Sequence, residues 1–243
     1  MQRYDRQLRI PQLGWEGQAK LATSRVLVIG AGGLGSPAIL YLAAAGVGTL
    51  GIADGDVIEL SNLNRQILHR TSDIGVSKVV SASRAARDLN PEVNIELHDS
   101  RLDEEGAVKL AGQYDLLIDA ADSFASKYLL NRAAVRSGTP LVHVGVEGMY
   151  GQLCVLVAGG GPCLQCVFPD PPADQEEPRA ILGACAGVLG AIQACEAIKL
   201  LASMTDSPGT HQLLAVDLLS LQLRTLLIQR DPDCTVCGPA APG

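Results

Sequence analysis

Aromatic side chains are scarce in this chain. They make up 3% of its 243 residues, with one Trp and two Phe. A core built almost without them must be assembled from Leu, Val, Ile and Ala, which suits an α/β protein. The 47% hydrophobic content, against 19% charged, supplies enough of these for a sizeable core. Positive charge is also short. The formal net charge is −7, which disfavours nucleic acid as a general partner. The opening residues, Met1 to Gln7, are polar and charged, so no secretory leader is expected. No apolar run approaches the roughly 18 residues of a membrane span, so no membrane partner is expected and the expected location is the cytoplasm. There the seven cysteines are expected as thiols or metal ligands and not as a disulfide framework. The chain contains no internal repeat.

What is present centres on residues 25–36. An apolar run ends in a glycine turn carrying Gly30, Gly32, Gly33 and Gly35, and helix-compatible sequence follows. Strand, Gly-x-Gly-x-x-Gly, helix is the order of a nucleotide-binding βαβ unit. Gly30 permits the tight turn, Gly32 and Gly33 let backbone approach phosphates, and Gly35 lets the helix pack close on the strand. Backbone N–H groups and the positive helix end then face the anion. The motif by itself does not separate NAD, FAD, SAM or ATP.

In chain order, 1–24 reads as a polar, solvated arm with one helix over 14–23. Strands are expected over 26–29, 49–53, 93–98, 114–120, 141–146, 151–157, 212–217 and 221–228. Helices are expected over 36–45, 73–90, 106–112, 123–137 and 181–202. Asp54 follows Gly30 by 24 residues, near the spacing at which an acidic residue meets a ribose hydroxyl. An Asp-Gly-Asp turn at Asp54 to Asp56 is the competing role, and the glycine motif upstream favours the ribose reading. Ser61-Asn62-Leu63-Asn64-Arg65-Gln66 falls just past a strand's carboxyl end, where open α/β sheets bind ligands. Arg65 can pair with a phosphate through its fork, and Asn62 and Gln66 can hydrogen-bond one. Lys78, on a helix, reads as solvent-facing. Asp119 and Asp122 at a strand tip suit a divalent metal bridging phosphates, with helix capping by Asp122 or Ser123 as the competing role.

Two Cys-x-x-Cys pairs, Cys163/Cys166 and Cys234/Cys237, offer four thiolates, the donor set of a tetrahedral structural zinc site. A redox dithiol is the competing idea, but neither pair follows a strand and opens a helix. Cys154, Cys185 and Cys195 lie in apolar contexts and read as core thiols.

Together, Arg3-Tyr4-x-Arg6-Gln7, the Gly30 to Gly35 loop, Asp54-x-Asp56, Ser61-Asn-Leu-x-Arg65-Gln66, Lys78, Asp119-x-x-Asp122 and the paired Cys-x-x-Cys resemble the ThiF/MoeB/HesA adenylyltransferases. The resemblance runs from Arg3 to Cys237, and its Ser-Asn-Leu-x-Arg-Gln segment is far more specific than the glycine loop. It implies ATP-dependent adenylation of the C-terminal glycine of a ubiquitin-like sulfur-carrier protein, giving an acyl-adenylate and pyrophosphate. It further implies that the glycine loop holds ATP, that Asp54 takes the ribose hydroxyls, that Asn62, Arg65 and Lys78 contact phosphates, and that Asp122 binds Mg²⁺. Arg6 would reach the active site of the second subunit of a homodimer. The implied fold is α/β: a Rossmann-like, mostly parallel sheet with helices on both faces, then C-terminal antiparallel strands and a zinc site. The expected regions are an arm (1–24), an ATP-binding region (25–158) and a C-terminal region (159–243) within one structural domain.

One departure stands out. Members that form a thioester or persulfide carry a cysteine shortly before the long helix, and that position falls here near Glu176. No sulfurtransferase domain is expected beyond the zinc site. The expectation is therefore an adenylate passed to a separate sulfur donor. Three other functions compete. A NAD(P)-dependent oxidoreductase would leave Arg65, Lys78, Asp122 and the cysteines unexplained, and no Tyr/Lys or His/Asp hydride-transfer set is present. An enzyme adenylating a small molecule or tRNA base is the second, and a non-catalytic scaffold is the third.

Overall fold

The apolar stretch Arg25–Ile29 forms a central strand because its residues are buried on both sides, Val26 and Val28 on one face and Leu27 on the other. A computed structural model describes residues 2–100, 103–157, 159, 161–170, 179–204 and 211–239. The elements run α1 (Asp5–Leu8), α2 (Gly14–Thr23), β1 (Arg25–Ile29), α3 (Gly35–Ala45), β2 (Thr49–Ala53), α4 (Lys78–Leu89), β3 (Asn94–His98), α5 (Glu104–Ala111), β4 (Leu116–Asp119) and α6 (Phe124–Ser137). Next come β5 (Leu141–Glu147), β6 (Tyr150–Leu156), α7 (Leu164–Val167), α8 (Gly183–Leu201), β7 (Gln212–Asp217) and β8 (Gln222–Leu227).

All eight strands join one sheet in the order β3-β2-β1-β4-β5-β6-β7-β8. The first five in that order pair in parallel and the last three antiparallel. One face packs against α2, α3, α4 and α8 through Leu21, Ile39, Leu42, Val79, Ala82 and Leu189. The other packs against α5, α6 and α7 through Ala107, Leu110, Tyr128, Ala133 and Leu164. The α/β class with helices on both faces of a mostly parallel sheet is the fold expected from the sequence. The chain reverses its direction of winding between β1 and β4, and the glycine turn opens there.

Several local expectations need correction. The helix expected over 73–90 starts at Lys78, because a short 3₁₀ turn at Thr71–Asp73 and Gly75 at φ +85° come first. The helix expected at 106 starts at Glu104, since the Asp103 carboxylate accepts the Gly106 N–H at 2.8 Å. The long helix starts at Gly183. The residues before it are tied to the β5–β6 turn, where Gly148 donates to Ala180 O at 2.7 Å. At 19 residues and mean hydropathy 1.5, α8 is long and apolar enough to span a bilayer, contrary to the reading of the runs. Its buried stripe, which includes Gln193 and Glu196, faces the core, whereas Cys195 is exposed, so the core-thiol expectation fails for it and holds for Cys154 and Cys185.

The arm is not merely solvated. Tyr4 lies over Gly46, where a Cβ would meet its hydroxyl oxygen at 2.6 Å. The same hydroxyl accepts from Asn90 Nδ2 at 2.9 Å, and the Gln7 amide donates to Ala45 O at 2.9 Å. Gly46 ends α3 in the left-handed region, and its missing side chain leaves the room the ring fills.

Candidate active site

β1 and β4 end side by side and open a cavity of about 1250 Å³. At its floor Gly30 has φ +101°, and a Cβ there would meet Ala120 O at 2.4 Å. A Cβ on Gly35 would meet Gly30 O at 1.9 Å, so the first turn of α3 seats directly on the strand end. Gly32 and Gly33 face the cavity. Asp54 Oδ2 accepts the Ala31 N–H at 2.8 Å and Oδ1 accepts the Asp56 N–H at 2.9 Å. The carboxylate thus shapes the loop and still has lone pairs for a ligand hydroxyl.

Gly30, Gly32, Gly33, Asp54, Asp56, Arg65, Gln66, Lys78, Asp122 and Ser123 all line this cavity. Lys78 is buried, and its ammonium donates to Asp56 at 2.9 Å, so the solvent-facing reading of it fails. Arg65 is half-buried and donates to Ser61 O at 2.9 Å. Gln66 Oε1 is buried at the wall with no hydrogen-bond partner, a polar group suited to a ligand atom. Gly35, Ser61, Asn62, Leu63, Asn64 and Arg6 do not line the cavity. Asn62 is buried and its Oδ1 accepts the Glu59 N–H at 3.0 Å, so it builds the turn that presents Arg65. Gly183 packs on that segment from above. A Cβ there would meet Asn64 O at 2.4 Å.

The paired-carboxylate reading splits. Asp122 is exposed and lines the cavity, while Ser123 takes the capping role, accepting the Ser126 N–H at 3.2 Å. Asp119 is fully buried and already engaged. It receives Lys127 Nζ at 3.2 Å and lies 2.6 Å from His143 Nδ1. Burial by itself would raise the Asp119 carboxyl, but the Lys127 ammonium and the His143 hydrogen bond outweigh it and hold it low. Burial pushes the His143 imidazole down. Asp119 is therefore an anchor of the strand tips and not a second metal ligand.

Sequence reasoning missed Lys127, His143 and His69. Lys127 also donates to Val144 O at 2.7 Å, joining α6 to β5. His69 is buried, with Nε2 2.9 Å from Ala31 O and Nδ1 2.9 Å from Ser81 Oγ, so it braces the glycine loop from behind. No local pattern marks these residues, since each partner lies on a remote element.

The four sulfurs of Cys163, Cys166, Cys234 and Cys237 lie within 4.8 Å of one another. Pairs stand 3.4, 3.6 and 3.9 Å apart. A tetrahedron with Zn–S bonds of about 2.3 Å places its sulfurs about 3.8 Å apart, so the donor set fits zinc. Burial pushes the Cys163 thiol up, and a dication among the sulfurs would offset that cost. Cys163 does cap a helix, the four-residue α7, contrary to expectation, but all four thiols converge into one donor set that can hold a metal ion.

Fold and site together define a doubly wound α/β protein with a ligand crevice outside the carboxyl ends of its parallel strands and a four-thiol cluster that can hold a metal. Within that class the chain belongs to the ThiF family, whose model matches residues 4–236. It is 46% identical over 241 residues to the adenylyltransferase and sulfurtransferase MOCS3 of Arabidopsis thaliana. That match covers 97% of this chain and 52% of the relative, so the chain spans about half that protein's length. It is 41% identical over 247 residues to the sulfur carrier protein adenylyltransferase of Thermus thermophilus, covering 98% of this chain and 91% of that one. The fold superposes on E. coli MccB, in a structure with MccA-N7isoASN, at TM-score 0.88 and 23% identity, covering 97% of this chain and 75% of that one.

Proposed function

We propose that this chain uses ATP to adenylate the C-terminal glycine of a ubiquitin-like sulfur-carrier protein. The carrying observation is convergence. The glycine loop, Arg65, Lys78 and Asp122 line one cavity outside the carboxyl ends of β1, β2 and β4. At about 1250 Å³ that cavity exceeds the roughly 300–1000 Å³ of a usual small-ligand site and has room for a second substrate. The names of the curated relatives favour this reading over an oxidoreductase or a scaffold.

In this reaction a carboxylate oxygen attacks the α-phosphorus. The bond from that phosphorus to the β-bridging oxygen breaks, and pyrophosphate leaves. The nucleophile is already an anion, so no general base is needed. The work is positioning and charge neutralisation. Gly32 and Gly33 admit the phosphates, Asp54 accepts ribose hydroxyls, and Arg65 and Lys78 neutralise phosphate oxygens. Asp122 would hold Mg²⁺, which supplies further charge neutralisation when bound. Zinc at the four cysteines would staple α7 to the C-terminal segment.

Arg6 is exposed and absent from the chain's own cavity, and its arm docks on Gly46, at the far end of α3 from the glycine loop. That placement supports a homodimer in which Arg6 completes the other subunit's site. Mixing inactive Arg6→Ala with inactive Asp122→Ala should restore activity, and a mixture as dead as its components would refute the shared site. Cys185 is 2% exposed within α8, which supports a reaction that ends at the adenylate and hands it to a separate sulfur donor. The position near Glu176 lies outside the described residues. A carrier thioester trapped on Cys185 would overturn this ending.

The central test is pyrophosphate exchange with a panel of Gly-Gly-ending carriers. At least one should stimulate exchange, and Asp122→Ala should abolish it while leaving zinc content and folding intact. Exchange with none of the panel sinks the proposal.

A further inference from the structure

We infer that Asn131 is a positioning residue of the four-cysteine site, its Oδ1 holding the Cys163 to Cys166 turn and its Nδ2 donating to the Cys163 thiolate, an assignment that rests on the zinc reading above. Asn131 lies on α6, is 1% exposed and belongs to none of the motifs read from the sequence. Its Oδ1 accepts the Leu164 N–H at 2.8 Å, so α6 grips the turn directly after its first cysteine. That bond also fixes which way the amide faces, because only its oxygen can accept. Nδ2 is left buried with no hydrogen-bond partner. Folded proteins rarely leave a buried donor unpaired, and such a group calls for an acceptor.

The acceptor beside it is a sulfur. Cys163 immediately precedes Leu164, and Asn131, Cys163 and Cys237 line one small cavity. Burial pushes the Cys163 thiol up, while the Cys166 backbone and the Asn131 amide pull it down. Four thiolates around one dication carry an excess of negative charge. Where water is shut out, N–H donors must hold that charge. Cys234 has such a donor in the Val236 N–H, 3.5 Å from its sulfur. Cys163 is the more deeply buried of the two, at 3% exposure against 5%, and Asn131 is the side chain that can serve it.

A neutral thiol is a weak acceptor and a thiolate a strong one. Thiols give up their protons when they take a metal, so Nδ2 gains its partner only in the loaded protein. Asn131 therefore favours the loaded state over the empty one, and its contribution should appear in metal affinity. Donation to sulfur also draws electron density from it. That lowers the energy of the sulfur lone pairs and moves sulfur-to-metal charge transfer to shorter wavelength, which mere support of the turn by Oδ1 would not do.

The test uses the full chain loaded with zinc and, in parallel, with cobalt(II), whose thiolate complexes are coloured. Asn131→Leu removes both halves of the amide. Asn131→Asp keeps an acceptor for the Leu164 N–H and loses the donor, so it reports on Nδ2 even if the first variant folds poorly. Zinc affinity, measured by competition with a chelator, should fall about 10- to 100-fold in both. The cobalt charge-transfer bands should move to longer wavelength in both, and the shift in the neutral Leu variant excludes the Asp charge as its cause. Wild-type affinity and unmoved bands in Asn131→Asp would confine the role to Oδ1 and overturn the donor assignment. Lower affinity with unmoved bands would make Asn131 a support of the fold alone and overturn it equally. In both cases the zinc reading stands. If the wild type takes up no zinc at the four cysteines, that reading fails and takes this assignment with it.

Discussion

Leu117 and Leu227 belong to the same sheet, one at 0% exposure and the other at 81%. Leu117 sits on β4 with helices on both sides. Leu227 sits on β8, where every residue is exposed, Leu223 at 65% among them. The central parallel strands β1, β2 and β4 form a sealed layer, and the outermost antiparallel strand β8 is a bare edge. The chemistry lies in the sealed part for a physical reason. A charge like that of Asp119 can be held at 0% exposure only where Lys127, His143 and backbone groups are fixed around it by packing on both faces. The same frame fixes the loop ends above it, so Asp122 is presented three residues later with its carboxylate free of the cap.

The contrast can be pressed from its largest effect downward. Asp119→Ala leaves Lys127 buried without its carboxylate and should cost about 3–5 kcal/mol in urea unfolding. A cost under about 1 kcal/mol would mean that water reaches the strand tips. Leu117→Ala, which opens a cavity between the layers, should cost about 2–5 kcal/mol. Chelating the zinc proposed at the four cysteines should loosen the segment after β8 to protease while leaving the amide-exchange protection of β1 and β4 unchanged. Loss of protection across the parallel strands would make the cluster a part of the core.

Acid should come next in size. Burial depresses the His69 and His143 imidazoles, and their unfolded forms take up protons below about pH 6.5. A depressed folded pKa contributes stability that is complete above the unfolded value and is lost as pH falls through the folded one. Unfolding midpoints should therefore drop between pH 7 and 5, and less steeply in His143→Asn. The depressed Asp119 carboxyl has the same sign, but its loss begins only below the ordinary carboxyl range. Smallest of all, Leu227→Lys on the bare edge should change stability by no more than about 0.5 kcal/mol.

The legible parts of this molecule are those whose cause is local. The glycine turn, the buried strand runs and the Cys-x-x-Cys pairs each need only neighbours within a few residues. Lys78 misled because a lysine on a helix gives no sign of the Asp56 that meets it, 22 positions earlier. Asp119 and Asp122 looked alike because the sequence places them on one tip. What separates them is a histidine 24 residues on and a lysine one helix turn deep. The docking of Tyr4 on Asn90 spans 86 residues and follows no periodicity at all.

Gly183 carries one more consequence. Because it presses against the Asn64 carbonyl with no space for a Cβ, two segments more than a hundred residues apart share a single seam. Sequence drift on the bare edge has little to disturb. At this seam an extra methyl group must displace either the start of α8 or the backbone that presents Arg65. A side chain at Gly183 can therefore be accommodated only together with a shift on the other side of the seam, a coupling that Leu227 on the bare edge does not have.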